Sequence, residues 1–236
     1  MEVRRYKNPQ EVADSFARLL ASQVNQSDGY TIALSGGSTP KLLFEILATD
    51  FKEVINWEKL QFFWGDERCV PPNHSESNYG AANDILFKNL QVPLNVFRIE
   101  GEQNPEEEAV RYSSEIADKL PVKNGLPQFD MILLGLGEDG HTASIFPHQI
   151  GLLKSGKICE VAQHPASGQK RITLTGNVIN NARSVVFLAT GKAKADRIRE
   201  IHYKKPVSKS FPAAHIQPAG GQLIWFLDEA AAEYLH

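Results

Sequence analysis

The chain has 236 residues, 42% hydrophobic and 22% charged, which suits a globular protein with a substantial core and excludes disordered, collagen-like and coiled-coil classes. A formal net charge of -3 argues against affinity gained by broad neutralisation of nucleic-acid phosphates, although a few placed cations can still grip one small phosphate. Cys69 and Cys159 are the only cysteines, too few for a disulfide framework and not in metal-ligand spacing. There is no signal-peptide run and no stretch of roughly 18 apolar residues, so the expectation is a soluble, cytoplasmic protein with no membrane or nucleic-acid partner.

Val12, Phe16, Leu19, Leu20 and Val24 recur at helical spacing and predict a first amphipathic helix over residues 11–24. Tyr30–Leu34 is a short apolar run that predicts a strand. It stops at Ser35-Gly36-Gly37-Ser38-Thr39-Pro40, after which Leu42, Leu43, Ile46 and Leu47 resume helical spacing. The same order returns at Leu60–Trp64 before Gly65-Asp66-Glu67-Arg68, and at residues 129–134 before Gly135-Leu136-Gly137-Glu138-Asp139-Gly140-His141. Residues 106–120 read as a helix whose early acids suit the positive end of its dipole, the acidic run being taken as a solvated face. Further strands are expected at 171–175, Ser184–Ala189 and 223–227, and further helices at 177–182, 192–202 and 229–235. Strands alternating with helices predict an α/β fold with a mostly parallel sheet covered on both faces, built as one domain over residues 1–236.

In such sheets ligands bind beyond the carboxyl ends of the strands. The loop from Ser35 to Pro40 combines glycines that permit close backbone approach, the hydroxyls of Ser35, Ser38 and Thr39, and a following helix N-terminus, so phosphate is its natural occupant. A tight turn with Thr39 as N-cap and Pro40 at the first helical position accounts for the same residues. The loop matches neither GxGxxG nor GxxxxGK[ST], so a nucleotide is not the first expectation. In Gly65-Asp66-Glu67-Arg68 the guanidinium can hold a phosphate and the acids can orient it, a structural acid–base network being the other reading. Ser77 reads as a helix cap.

The segment from Gly135 to Ser144 concentrates flexible backbone, a carboxylate and an imidazole at one strand end. His141 is the candidate general base and Asp139 the carboxylate that fixes its tautomer or position, against a capping loop with an incidental histidine. Arg171, Arg183, Lys192 and Lys194 are further possible phosphate ligands, several of them ordinary surface charges; Lys194 follows the Thr190-Gly191 turn and is the best placed. Nothing in the sequence activates Cys69 as a thiolate, and it reads as a buried structural cysteine.

Taken in order, SGGSTP, GDER, GLGEDGHTAS and TGKAK resemble the 6-phosphogluconolactonase family within the glucosamine-6-phosphate isomerase and deaminase superfamily. The resemblance runs from Ser35 to at least Lys194, the element order extends it across nearly the whole chain, and it implies a three-layer Rossmann-like α/β domain, no cofactor and no metal. It also implies hydrolysis of a small-molecule sugar-phosphate lactone, 6-phospho-D-glucono-1,5-lactone, in the oxidative pentose phosphate pathway. Carried over by position, it implies His141 as general base, Arg68 and Lys194 as phosphate-side cations, and Ser35, Gly36, Gly37, Ser38 and Thr39 as a cradle. Asp66 joins the binding set, and Arg183 matches a superfamily basic position. A glucosamine-6-phosphate deaminase continues beyond Asp-Gly-His into an acidic segment, whereas this chain reads Thr142-Ala143-Ser144-Ile145-Phe146-Pro147. A non-catalytic sugar-phosphate sensor needs no general base, and Asp139 with His141 argues against it.

Overall fold

A computed structural model describes residues 2–235. Its main sheet has seven strands, all paired in parallel. They are β1 (Glu2–Tyr6), β2 (Tyr30–Leu34), β3 (Leu60–Trp64), β5 (Asn95–Val96), β8 (Met131–Leu134), β11 (Ser184–Ala189) and β12 (Gln222–Asp228), in the spatial order β1-β12-β11-β8-β2-β3-β5. The central strands β2, β8 and β11 are nearly continuous apolar runs, as burial on both faces requires.

Strand alternation assigns the helices to layers. Phe226 of β12 packs against Phe16 of α1 (Pro9–Asn25), with ring centroids 6.0 Å apart, whereas its neighbour Trp225 meets Ile198 and Ile201 of α6 (Ala195–His202) on the other face. Register carries those faces across the sheet, so Trp64 lies on the α1 side and Phe63 on the α6 side. Trp64 indeed meets Tyr79 of α3 (Asn78–Ile85), and Phe63 meets Tyr112 of α4 (Pro105–Lys119). Helix α2 (Ser38–Thr49) packs between α1 and α3. The three-layer α/β expectation therefore holds, and no helix among the described residues is long and apolar enough to cross a membrane.

A second sheet stands apart from the first. It joins β4 (Asp66–Arg68), β9 (Cys159–Gln163) and β10 (Lys170–Leu174), all antiparallel, in the order β4-β10-β9. The strand expected at 171–175 thus belongs here and not to the parallel sheet, and the expected Gly65–Arg68 loop is largely a strand. Small elements complete the chain: the hairpin of β6 (Val122–Lys123) and β7 (Leu126–Pro127), and α5 (Gly176–Ile179). The helix expected at 229–235 is a series of turns. The Asp228 carboxylate accepts from the Ala231 and Gly191 backbones, which ties the segment to the end of β11 instead of extending it as a helix.

Caps follow the local chemistry. Asn8 and Asn104 cap α1 and α4, each followed by proline at the first helical position, and Ser77 caps α3 as expected. The acidic start of α4 is not wholly solvated: Glu108 is buried, pairs with Arg111 at 2.6 Å and accepts from the Glu100 backbone. The helix is also pinned to the sheet by one hydroxyl. Buried Tyr112 accepts from the Trp64 N–H at 2.8 Å and donates to the Trp64 carbonyl at 3.1 Å. Tyr112→Phe should cost about 1–3 kcal/mol, because a buried N–H at the end of β3 is left without its acceptor. Urea denaturation with an unchanged slope and a lowered midpoint is the expected result.

Candidate active site

The loops after β2, β3, β8 and β11 converge at the carboxyl ends of the parallel strands, around a cavity of about 210 Å³. Ser35 and Gly36 line it from β2, Asp66 and Arg68 from β4, Gly135–Gly137, His141 and Ala143 from the β8 loop, and Arg171 and Lys194 from further along the chain. Asn78 of α3 completes the wall. A Cβ on Gly36 would stand 1.8 Å from Asn78 Oδ1, so glycine leaves room for the side-chain amide that Asn78 donates to the Asp66 carbonyl.

The alternation of β4 sorts its three polar residues by face. Asp66 and Arg68 point one way, opposite Thr173 and Arg171 of β10, and Glu67 points the other. Glu67 is buried and accepts from the Ser77 hydroxyl and from the backbones of Arg68, Asn78 and Tyr79, so it holds the start of α3 against β4. Burial pushes its carboxyl up despite those bonds. Asp66 is also buried, but its carboxylate accepts the Ser144 hydroxyl at 2.6 Å and its carbonyl accepts from Asn78.

Arg68 and Arg171 therefore stand side by side on the cavity face. Arg68 Nη1 donates to the Glu76 carbonyl at 2.7 Å, and the Arg171 guanidinium lies 5.6 Å from the centre of the Phe146 ring. The Nε of each is buried with no hydrogen-bond partner among the described residues. Burial, then the Arg68 charge, pull Arg171 below the usual arginine range. Two close guanidinium groups with no paired carboxylate among the described residues have the chemistry to take an anion, since a phosphate can accept several charge-assisted hydrogen bonds at once.

On the β8 loop, Asp139 Oδ1 takes the His141 backbone N–H at 3.0 Å and His141 Nδ1 at 2.6 Å. Nδ1 is then the protonated ring nitrogen and Nε2 carries the free lone pair of the neutral imidazole. Burial opposes ionisation of Asp139, yet the two hydrogen bonds and the charge of His141 outweigh it and hold the carboxyl down at about 2. The imidazole leans on buried Phe146, with ring centroids 4.7 Å apart. Gly137 makes room for the pair: a Cβ there would lie 2.1 Å from His141 Nδ1. The turn after His141 is closed by the Ile145 N–H on the Thr142 carbonyl, and places Ala143 at φ 48°, a left-handed conformation uncommon for a residue with a Cβ.

The residues singled out in the sequence divide accordingly. His141, Asp66, Arg68, Lys194, Ser35 and Gly36 share the cavity, with Asp139 directly behind His141. Gly37 and Ser38 are exposed beside it. Thr39 neither caps α2, whose N-cap is Gly37, nor offers its hydroxyl to the cavity, because that hydroxyl bonds Thr190 at 2.8 Å and ties α2 to the end of β11. Arg183 immediately precedes β11 and so lies at the amino end of the sheet, mostly exposed and paired with Asp130 at 3.2 Å, away from the cavity. Arg171 belongs to the site, although its sequence neighbours give it no loop setting; the signal is its alternation with Thr173 on one strand face. Cys69 is half-buried, not fully buried as expected, and burial pushes its thiol up to about 11, against a role as a thiolate. Among the described residues no group of three or more His, Cys, Asp or Glu side chains is placed to hold a metal ion.

Residues 7–225 match the model of the glucosamine-6-phosphate isomerases/6-phosphogluconolactonase family. The chain is 43% identical over 234 residues to a 6-phosphogluconolactonase of Haemophilus influenzae, covering 98% of both chains. It is 42% identical over 202 residues to that of Treponema pallidum, covering 85% of this chain and 84% of the relative. The solved 6-phosphogluconolactonase of Trypanosoma brucei superposes with a TM-score of 0.86 at 31% identity, covering 100% of this chain and 98% of the other.

Two outcomes test this geometry. Gly137→Ala should push the imidazole off Asp139 while the chain stays folded, seen as loss of the hydrogen-bonded Nδ1–H signal of His141 in nitrogen-15 NMR beside unchanged far-ultraviolet circular dichroism. Because the Asp139 carboxyl is depressed from 3.8 to about 2 in the folded state, its ionised form stabilises the fold above the unfolded value and that contribution is lost as pH falls through the folded one. The stability difference between wild type and Asp139→Asn should accordingly be constant above about pH 5 and shrink toward about pH 2 in denaturant titrations.

Proposed function

We propose that this chain, which belongs to the glucosamine-6-phosphate isomerase/6-phosphogluconolactonase family, hydrolyses 6-phospho-D-glucono-1,5-lactone to 6-phosphogluconate, a step of the oxidative pentose phosphate pathway. The observation that carries the reading is one cavity holding both an imidazole fixed by a carboxylate and a pair of guanidiniums with unspent buried donors. A lactone with a remote phosphate needs both. We read the chain as one cytoplasmic domain that takes a small-molecule substrate, with no membrane or nucleic-acid partner and no cofactor in the reaction.

In this reading the phosphate is held by Arg68, Arg171 and Lys194, beside the Ser35–Gly36 backbone. That grip, remote from the reacting carbon, orients C1 toward His141. Nε2 takes a proton from water as the water oxygen bonds to C1, and the carbonyl becomes a tetrahedral oxyanion met by backbone N–H groups of the β8 loop or a nearby cation. Collapse re-forms the C1 carbonyl and breaks its bond to the ring oxygen, to which His141 returns the proton. Asp139 keeps Nδ1–H pointed at itself, so Nε2 serves first as base and then as acid. The deaminase alternative lacks support at one definite place: residues 142–147 carry no carboxylate, and Ser144 there is committed to Asp66.

Binding and chemistry should separate under mutation. His141→Ala should lower kcat by roughly 10²- to 10⁴-fold with little change in KM. Near-normal turnover by the folded variant rejects His141 as the base. Arg68→Ala or Arg171→Ala should raise KM by roughly 10- to 100-fold, as loss of a charge-assisted hydrogen bond to phosphate implies. The assay is hydrolysis of freshly generated lactone, corrected for the spontaneous reaction, run beside glucosamine-6-phosphate deamination; activity in the second alone overturns the assignment.

A further inference from the structure

A larger cavity, of about 500 Å³, opens away from the strand-end site, on the Leu223 and Trp225 face of β12, between α6 and the segment 204–218. We propose that it binds a small amphipathic organic anion, with the acidic group held between Lys204 and Lys209, the apolar body on Leu223 and Ile216, and an acceptor atom on the Trp225 indole N–H. This inference does not rest on the lactonase reading.

Three observations point to such a ligand. Trp225 is only 2% exposed, lines the cavity, and its Nε1 has no hydrogen-bond partner among the described residues; His202 Nδ1, on the same wall, is likewise buried without one among them. An indole N–H can only donate, and buried donors in native proteins are almost always met by an acceptor. The charge of the lining has one sign. Lys204 and Lys209 face the cavity, no Asp or Glu does, and neither ammonium has an ion-pair partner among the described residues. Finally, the floor is apolar, which a bare inorganic ion leaves uncovered and a neutral hydrocarbon leaves without a partner for the lysines.

The cavity also touches the catalytic loop through one residue. Ala213 lines it and donates its N–H to the Gly140 carbonyl at 3.1 Å, next to His141, while Phe211 of the same segment packs on Gly140.

The probe is anilinonaphthalenesulfonate, an anionic group on an aromatic body, titrated into the full chain and followed by its fluorescence. Saturable binding of one dye per chain is expected, weakened on the order of tenfold in Lys204→Ala/Lys209→Ala and in Trp225→Phe, and unchanged in Arg171→Ala. The lysine variant alters only exposed side chains, so it decides the matter even where Trp225→Phe lowers stability. Three results overturn the proposal: no saturable binding, which leaves bridging water as the partner of Trp225; equal affinity in wild type and the lysine variant; or loss of binding in Arg171→Ala, which places the dye in the strand-end cavity.

Discussion

Arg68 and Arg171 stand directly opposite each other across an antiparallel strand pair, an arrangement that charge repulsion disfavours. Among the described residues no carboxylate forms an ion pair with either guanidinium, although the charges of Asp66, Glu76 and Glu67 offset part of the repulsion at Arg171. Asp66, on the same face, spends its carboxylate on Ser144, and Glu67, the other acid of β4, faces away and holds α3. What holds the guanidiniums is indirect: the Glu76 carbonyl for one and the Phe146 ring for the other. In the proposed reading, a bound phosphate relieves that repulsion, so the arrangement trades some stability of the free protein for affinity.

The proposed base comes from a different part of the fold. His141 sits on a loop of the parallel sheet, the arginines on the antiparallel one, and contacts made by the residues after His141 register the halves. Phe146 touches both the imidazole and the Arg171 guanidinium, and Ser144 reaches from the β8 loop to Asp66. The residues just after His141 therefore fix its distance from the cation pair. That gives the Thr142–Phe146 segment a structural task beyond the absence of a carboxylate noted in its sequence.

Much of this was legible in the sequence where one physical signal dominates. Buried parallel strands are apolar runs, so β2, β3, β8 and β11 stood out, and helices α1 and α4 showed their apolar spacing. Most of the misses share a cause, namely that long-range partners decided the outcome. Asp66-Glu67-Arg68 has no strand propensity and is extended only because β10 pairs with it. Thr39 looked like a cap until Thr190 claimed its hydroxyl, and the alanine-rich segment after Asp228 had helical propensity but was turned by that carboxylate. Arg183 was misplaced for a simpler reason: a residue preceding a strand lies at the wrong end of a parallel sheet for its ligand site.

The pairing of β1 with β12 joins opposite ends of the described chain, and β1 has no other partner in the sheet. On the ribosome, then, the first strand emerges long before the strand it needs. Until β12 follows, Tyr6 lacks the Phe226 ring on which it stacks, and α1 lacks part of the surface that covers Phe16. Such a distant contact belongs to the slow, late part of folding. The strand-end site does not wait for it entirely, since β2, β3 and β8, with the loops that carry Ser35, Arg68 and His141, lie adjacent to one another and are all made earlier.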